Sequence, residues 1–290
     1  MSSASPAVSG DPLLSADGGG PRPRFTDLVA AEWIKLRSLR STYWVLASCV
    51  VVAVVVNLNA VRSDFTYIDH PPPPMPGRGP VTYDPIFHGL NQISADLVML
   101  AAAVVGAITV FGEYATGMVR TTFAAVPDRR AVALAKLVVV TAVTLVMGTT
   151  VSTVSFFGSN AMLASRHVGL SITDPGCVRC VAAYALIAPV CALLGMALGA
   201  VFRHATASVV AVVALLFLVP LLFGGDRYKL LRQIGNTLPG DAQSRLVANP
   251  AAPIDFGKYP ASVHGSWIAL AAWAVVSGVV AVVVIRRRDV

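Results

Sequence analysis

Six apolar runs, each close to the ~20 residues a helix needs to cross a bilayer, decide what this chain can fold into. They fall at about 43–61, 93–111, 131–157, 181–202, 206–223 and 267–285. Hydrocarbon offers no hydrogen-bond partner to the backbone, so each run has to satisfy its own amides as a helix. The valine-rich piece at 50–56 has the composition of a buried strand, but the run that contains it is too long for one. Charged residues make up 13% of the chain, against about 25% in soluble domains. Such a chain lacks the polar surface to dissolve in water. The expectation is an all-α membrane protein: six transmembrane helices in one permease-like domain over 25–290.

Thirteen of the 22 basic residues lie at the chain ends and in the second-to-third and fourth-to-fifth connections, at about twice the density found elsewhere. The positive-inside bias therefore puts both termini in the cytoplasm, with the chain in the plasma (inner) membrane. Arg203, His204 and Ala205 leave room only for a tight turn between the fourth and fifth runs. The net charge of +7 is dispersed among apolar runs, so it orients the protein in lipid and gives no nucleic-acid face. Residues 1–24, rich in Ser, Gly, Pro and Ala, have no apolar signal core and read as a disordered cytoplasmic tail. The proline-rich stretch 69–80 reads as a stiff polyproline segment. The long connection 224–265, broken by Pro and Gly, reads as short amphipathic helices on the outer leaflet.

Two segments next to the runs carry pattern. In 25–41, Phe25, Leu28, Val29, Trp33, Leu36 and Leu39 gather on one side at about 100° per residue, while Asp27, Lys35 and Arg37 fall away from it. This is the signature of an interfacial helix with Trp33 at headgroup level; a polar extension of the first span is the alternative. Glu32 projects into the apolar arc, where a carboxylate is costly without a partner, so it is expected to pair with a basic group of the second-to-third connection. That connection, 111–136, is too polar to span and too patterned for plain linker. It reads as a short helix lying along the membrane and ended by Pro127, with Arg129 and Arg130 at the start of the next span. An ordinary connector is the alternative.

The pattern GEY…G…RTT…AAVP-x-RR…AK in this connection resembles the cytoplasmic coupling helix of ABC transporter permeases of the type-two (multidrug and antibiotic exporter) superfamily. The upstream EWIKLRSLRS is similar to their interfacial helix, and NTLPGDAQSRL at 236–246 to a motif of their long outer loop. The resemblance implies a six-helix half-transporter without catalytic residues, and export of a drug-like, lipid-like or peptide substrate. The partners implied are a cytoplasmic ABC ATP-binding subunit that uses ATP and Mg, and a second permease copy, identical or related. This chain has no G-x-x-x-x-G-K-[ST] loop to cradle ATP, so it is expected to bind no cofactor itself. Gly112, Glu113, Tyr114, Gly117, Arg120, Pro127 and Arg129 would face the ATPase, and Glu32, Trp33 and Lys35 would belong to the interfacial helix.

Within the runs, Asp96 is an ionisable group near the outer face and a candidate for the transport pathway. Asn57 and Asn59 suit helix–helix hydrogen bonds, Pro189 and Pro220 suit kinks, and Gly195-x-x-x-Gly199 suits close helix approach. Lys136 is expected to snorkel to the inner surface. The CxxC at Cys177 and Cys180 admits a structural disulfide, incidental thiols, or a membrane thiol-redox centre, though neither relay cysteines nor a βαβ context supports the last. The five histidines are dispersed without metal-ligand spacing. The competing functions are thus the thiol-redox protein and a membrane-anchored subunit that transports nothing.

Overall fold

The computed structural model describes residues 24–70, 83–118, 122, 128–225, 228–250 and 256–287. The described residues form helices only, and six helical segments are long and apolar enough to cross a membrane. They are Arg40–Ser63, Pro85–Ala115, Arg129–Arg166, Cys177–Phe202, Ala205–Phe223 and Val263–Arg287. The helices are α1 Phe25–Ser38, α2 Arg40–Ser63, α3 Phe65–Asp69, α4 Pro85–Gly89, α5 Gln92–Ala115 and α6 Arg129–Leu163. After these come α7 Cys177–Phe202, α8 Ala205–Val213, α9 Val219–Phe223, α10 Lys229–Gly235, α11 Pro239–Val247 and α12 Val263–Arg287.

Each apolar run lies inside a longer helical segment, and at the second and third spans capping residues start the helices ahead of the hydrophobic window. Asp128 accepts from the backbone of Arg130 and Ala131 and starts α6 ahead of its apolar stretch. Asn91 does the same for α5 through Ile93. Asp84, followed by Pro85, starts α4 through Ile86 and Phe87. The second-to-third connection therefore begins later than the sequence indicates: Gly112, Glu113 and Tyr114 belong to the last turn of α5. The proline-rich segment and the N-terminal tail lie outside the described residues, apart from their margins.

α7 is apolar all round and buried along most of its length, against α5, α6 and α12. Small residues permit this. A methyl group on Gly195 would run into the carbonyl of Ala103 on α5, and one on Gly106 of α5 would meet the carbonyl of Ala192. Gly199, one turn on, would bring its methyl to 2.9 Å from the Ala107 carbonyl oxygen. The GxxxG reading is thus met by a backbone-on-backbone contact between α5 and α7.

Polar side chains fix the bundle at the end away from α1, called distal below. The buried Asn57 of α2 donates to Ser155 Oγ of α6 at 2.8 Å. Its carbonyl oxygen accepts from the Asn91 amide at 3.0 Å and from Ser94 Oγ at 2.5 Å. Tyr184 of α7 lies 2.6 Å from Ser94 and donates to it once Ser94 donates to Asn57. Four helices share this network. Asn59 was expected to act likewise, but two residues of helix turn it some 200° away, and it is exposed.

The fifth span is broken as Pro220 requires. A π-helical turn, Ala214–Leu218, precedes α9, which carries Pro220 in its first turn. Proline has no amide to donate to the residue four back, and the wider turn absorbs the clash of its ring.

Candidate functional site

The end of the bundle that carries α1, called proximal below, holds a charged clasp. Sequence periodicity puts Leu28, Glu32 and Leu36 on one stripe of α1, and all three are buried. Leu28 seats α1 on α6, where it meets Val132 and Ala135. The rest of the expected apolar arc is less covered: Phe25 and Leu39, at the two ends of α1, and Trp33, at the edge of the arc, are exposed.

Glu32 sits where the stripe crosses the start of the third span. Its carboxylate accepts from Lys136 Nζ at 2.7 Å on one oxygen and from Lys35 Nζ at 2.7 Å on the other. Both ammoniums also reach Glu113 Oε1 at the end of α5, Lys136 at 2.8 Å and Lys35 at 3.1 Å. The Thr109 carbonyl takes the third Lys136 proton at 3.1 Å. Lys35 reaches Thr122 Oγ1 at 3.4 Å. The Glu32 and Lys136 side chains are only 6% and 7% exposed, so this is a buried pair, whereas Lys35 at 30% borders solvent.

Lys136 is therefore no snorkelling lysine. Its stem runs inward between α1 and α5, because two carboxylates and a carbonyl hold its head better there than water at a greater reach. Glu32 does pair with a basic residue at the end of the 111–136 connection, as its place in the apolar arc required. Burial pushes the Glu32 carboxyl up, but Lys136 and then Lys35 outweigh it and hold it below its ordinary range. Burial likewise lowers Lys35, but Glu32 and Glu113 outweigh it and hold the ammonium above its ordinary range.

The two connections at this end also meet. Arg203, the C-cap of α7 with φ 58°, places its guanidinium 4.9 Å from the centre of the Tyr114 ring. Gly117 takes φ 70°, a left-handed turn that suits glycine just after α5. Gly112 faces open space, and Arg129 opens α6. Arg120 and Pro127 lie outside the described residues. The structure thus joins Glu32, Lys35 and Glu113 in one clasp, sets Tyr114 beside Arg203, and leaves Trp33 exposed. Lys136 and Arg203 were missed as site residues. A lysine six residues into an apolar run signals either a snorkelling stem or a buried partner, and its place in the sequence does not choose between them.

Asp96 lies at the opposite end, one turn into α5, where Gln92 donates to it at 2.9 Å. It lines a cavity of about 410 Å³ between α4, α5, the π-helical turn, α9 and α11, together with Asp84 and Asp241. Burial pushes the Asp241 carboxyl above its ordinary range, and Arg232 opposes this. Neither Asp84 nor Asp241 stood out in the sequence. The segment 236–246 forms α11 and closes this end: Arg179 of α7 donates to the carbonyls of Leu246 and Ala248, and Arg245 to that of Ala261. Cys177 and Cys180 are buried, unbridged thiols, and Cys180 Sγ points at the carbonyls of Leu246 and Ala248.

The fold is that of a multi-pass helical membrane protein, with polar devices concentrated at its two ends. No protein-family model matches the chain. Comparison with curated proteins finds no significant match.

Proposed function

We propose that the chain is the membrane-spanning permease subunit of an ATP-driven exporter, powered by a separate cytoplasmic ATP-binding subunit and working with a second permease copy. The observation that carries this reading is the clasp. Four charges, two of them buried, tie a surface helix to the end of the second span and the start of the third, so force delivered at either span end passes to α1, α5 and α6 together. A rigid-body lever of this kind converts force on a short connection into rocking of helices. The proximal end is then cytoplasmic, both termini are inside, and the membrane is the plasma membrane. Burial of both CxxC thiols, with Cys180 held against the end of α11, disfavours the thiol-redox alternative, because a reactive cysteine has to be accessible.

The test is first to search the neighbouring coding sequence for a phosphate-loop ATPase, whose absence would count against the reading, and then to reconstitute the chain with it. ATP hydrolysis is expected to respond to the permease, and Glu113→Gln combined with Arg120→Gln is expected to uncouple it. Retention of both pull-down and coupled hydrolysis in that double variant would refute the assignment of the lever.

A further inference from the structure

The distal cavity has the chemistry of a binding site. Asp84, Asp96 and Asp241 line it, and among the described residues that line it none is basic. Asp84 is 8% exposed. Its Oδ1 already accepts from the amides of Ile86 and Phe87 and from Asn249 Nδ2. Its Oδ2 is buried without a hydrogen-bond partner, a state that a carboxylate tolerates poorly unless a donor visits it. Most of the remaining wall is apolar or aromatic, including Met99, Phe217 and Phe256, with Gln92, Ser244 and Asn249 as its neutral polar members. The π-helical turn that supplies Phe217 is a device that often re-aims side chains at functional sites. A cavity of about 410 Å³ suits a small organic molecule. A metal ion fits poorly: no three His, Cys, Asp or Glu side chains among the described residues converge closely enough to hold one.

We infer that this cavity binds an amphipathic organic ammonium, whose N–H donors meet the Asp84 and Asp96 carboxylates while its apolar body lies against the aromatic wall. The Phe217 ring adds a quadrupole that attracts a cation, while the Phe256 ring already carries the Arg245 guanidinium 4.6 Å from its centre. As the substrate class of an exporter, this assignment rests on the permease reading; as a binding site, it stands without it.

The test uses the purified full chain in micelles and dansylcadaverine, a primary ammonium on an aromatic body, followed by equilibrium dialysis against protein-free micelles. Saturable binding is expected, weakened at least about tenfold in Asp84→Asn and in Asp96→Asn, the latter outside any helix cap. N-butyl dansylamide, which has the same body without the ammonium, is expected not to compete. Unchanged thermal unfolding of Asp96→Asn keeps the comparison valid if Asp84→Asn folds poorly. Equal binding of the neutral analogue, displacement by calcium, or unaltered affinity in Asp96→Asn would each overturn the inference. Stimulation of the partner ATPase by dansylcadaverine separates the two readings. Binding without stimulation leaves the cavity assignment intact and counts against transport; coupled hydrolysis without binding removes the cavity assignment alone.

Discussion

Replacing Lys136 by methionine tests how the clasp is held together. In the wild type two ammoniums face two carboxylates, and the cluster is neutral. Lys136→Met leaves it at −1, with Glu32 6% exposed and dependent on Lys35 alone. Truncating one member of a buried pair typically costs about 3–5 kcal/mol. Because Lys35 still contacts Glu32, the lower end applies, about 3 kcal/mol. Lys35 is 30% exposed and partly replaced by water, so Lys35→Met should cost about 1 kcal/mol or less. Adding Glu32→Gln to Lys136→Met restores neutrality and should recover more than half of the loss. Equilibrium unfolding in mixed micelles, followed by fluorescence of the four tryptophans, reads all four proteins. A Lys136→Met loss within about 1 kcal/mol of wild type, or an equal loss in Lys35→Met, would refute the buried-pair reasoning.

Further outcomes follow from the same geometry. Glu32 is held below its ordinary value of 4.5, so its contribution is present above that pH and is lost as pH falls through the folded value. Lys35 is held above 10.5, so its contribution is present below that pH and is lost as pH rises through the folded value. Hydrogen exchange in 25–38, corrected for intrinsic rate, should therefore be slow near neutral pH and speed up as acid protonates Glu32 or as base deprotonates Lys35. Protection that survives both limits of the pH titration unchanged would contradict this. Gly195→Val forces α5 from α7 and should cost about 1–3 kcal/mol or more, visible as a lowered unfolding midpoint. Asn57→Leu removes a four-helix junction and strands the Asn91 amide, for a loss of about 2 kcal/mol at the strength typical of interhelical hydrogen bonds in lipid.

The spans were legible because lipid imposes a single rule, a long apolar helix, and every predicted run sits within an observed one. Their ends were less so: Asp84, Asn91 and Asp128 extend helices through caps that hydropathy ignores. The stripe of α1 was right in period but not in how far it is covered. Phe25 and Leu39 at its ends and Trp33 at its edge are exposed, and the period of one helix does not record where its neighbours stop. Lys136 shows the harder limit. Snorkelling and inward pairing demand the same residue at the same depth, and only the positions of Glu32 and Glu113 on two other helices decide between them. The distal cavity was invisible for a similar reason: Asp84, Asp96 and Asp241 come from three elements, more than 150 residues apart at the extremes.

The account stands on the proximal end facing the cytoplasm, where a nucleotide motor can grip it. Single cysteines at exposed positions report this directly, because the four native thiols are buried. Ala115→Cys marks the last residue of α5, and Ser165→Cys marks the opposite end, just beyond α6. With a membrane-impermeant maleimide on intact cells, Ser165→Cys should label and Ala115→Cys should label only after permeabilisation. Labelling of Ala115→Cys in intact cells would put the clasp outside, beyond reach of any ATPase.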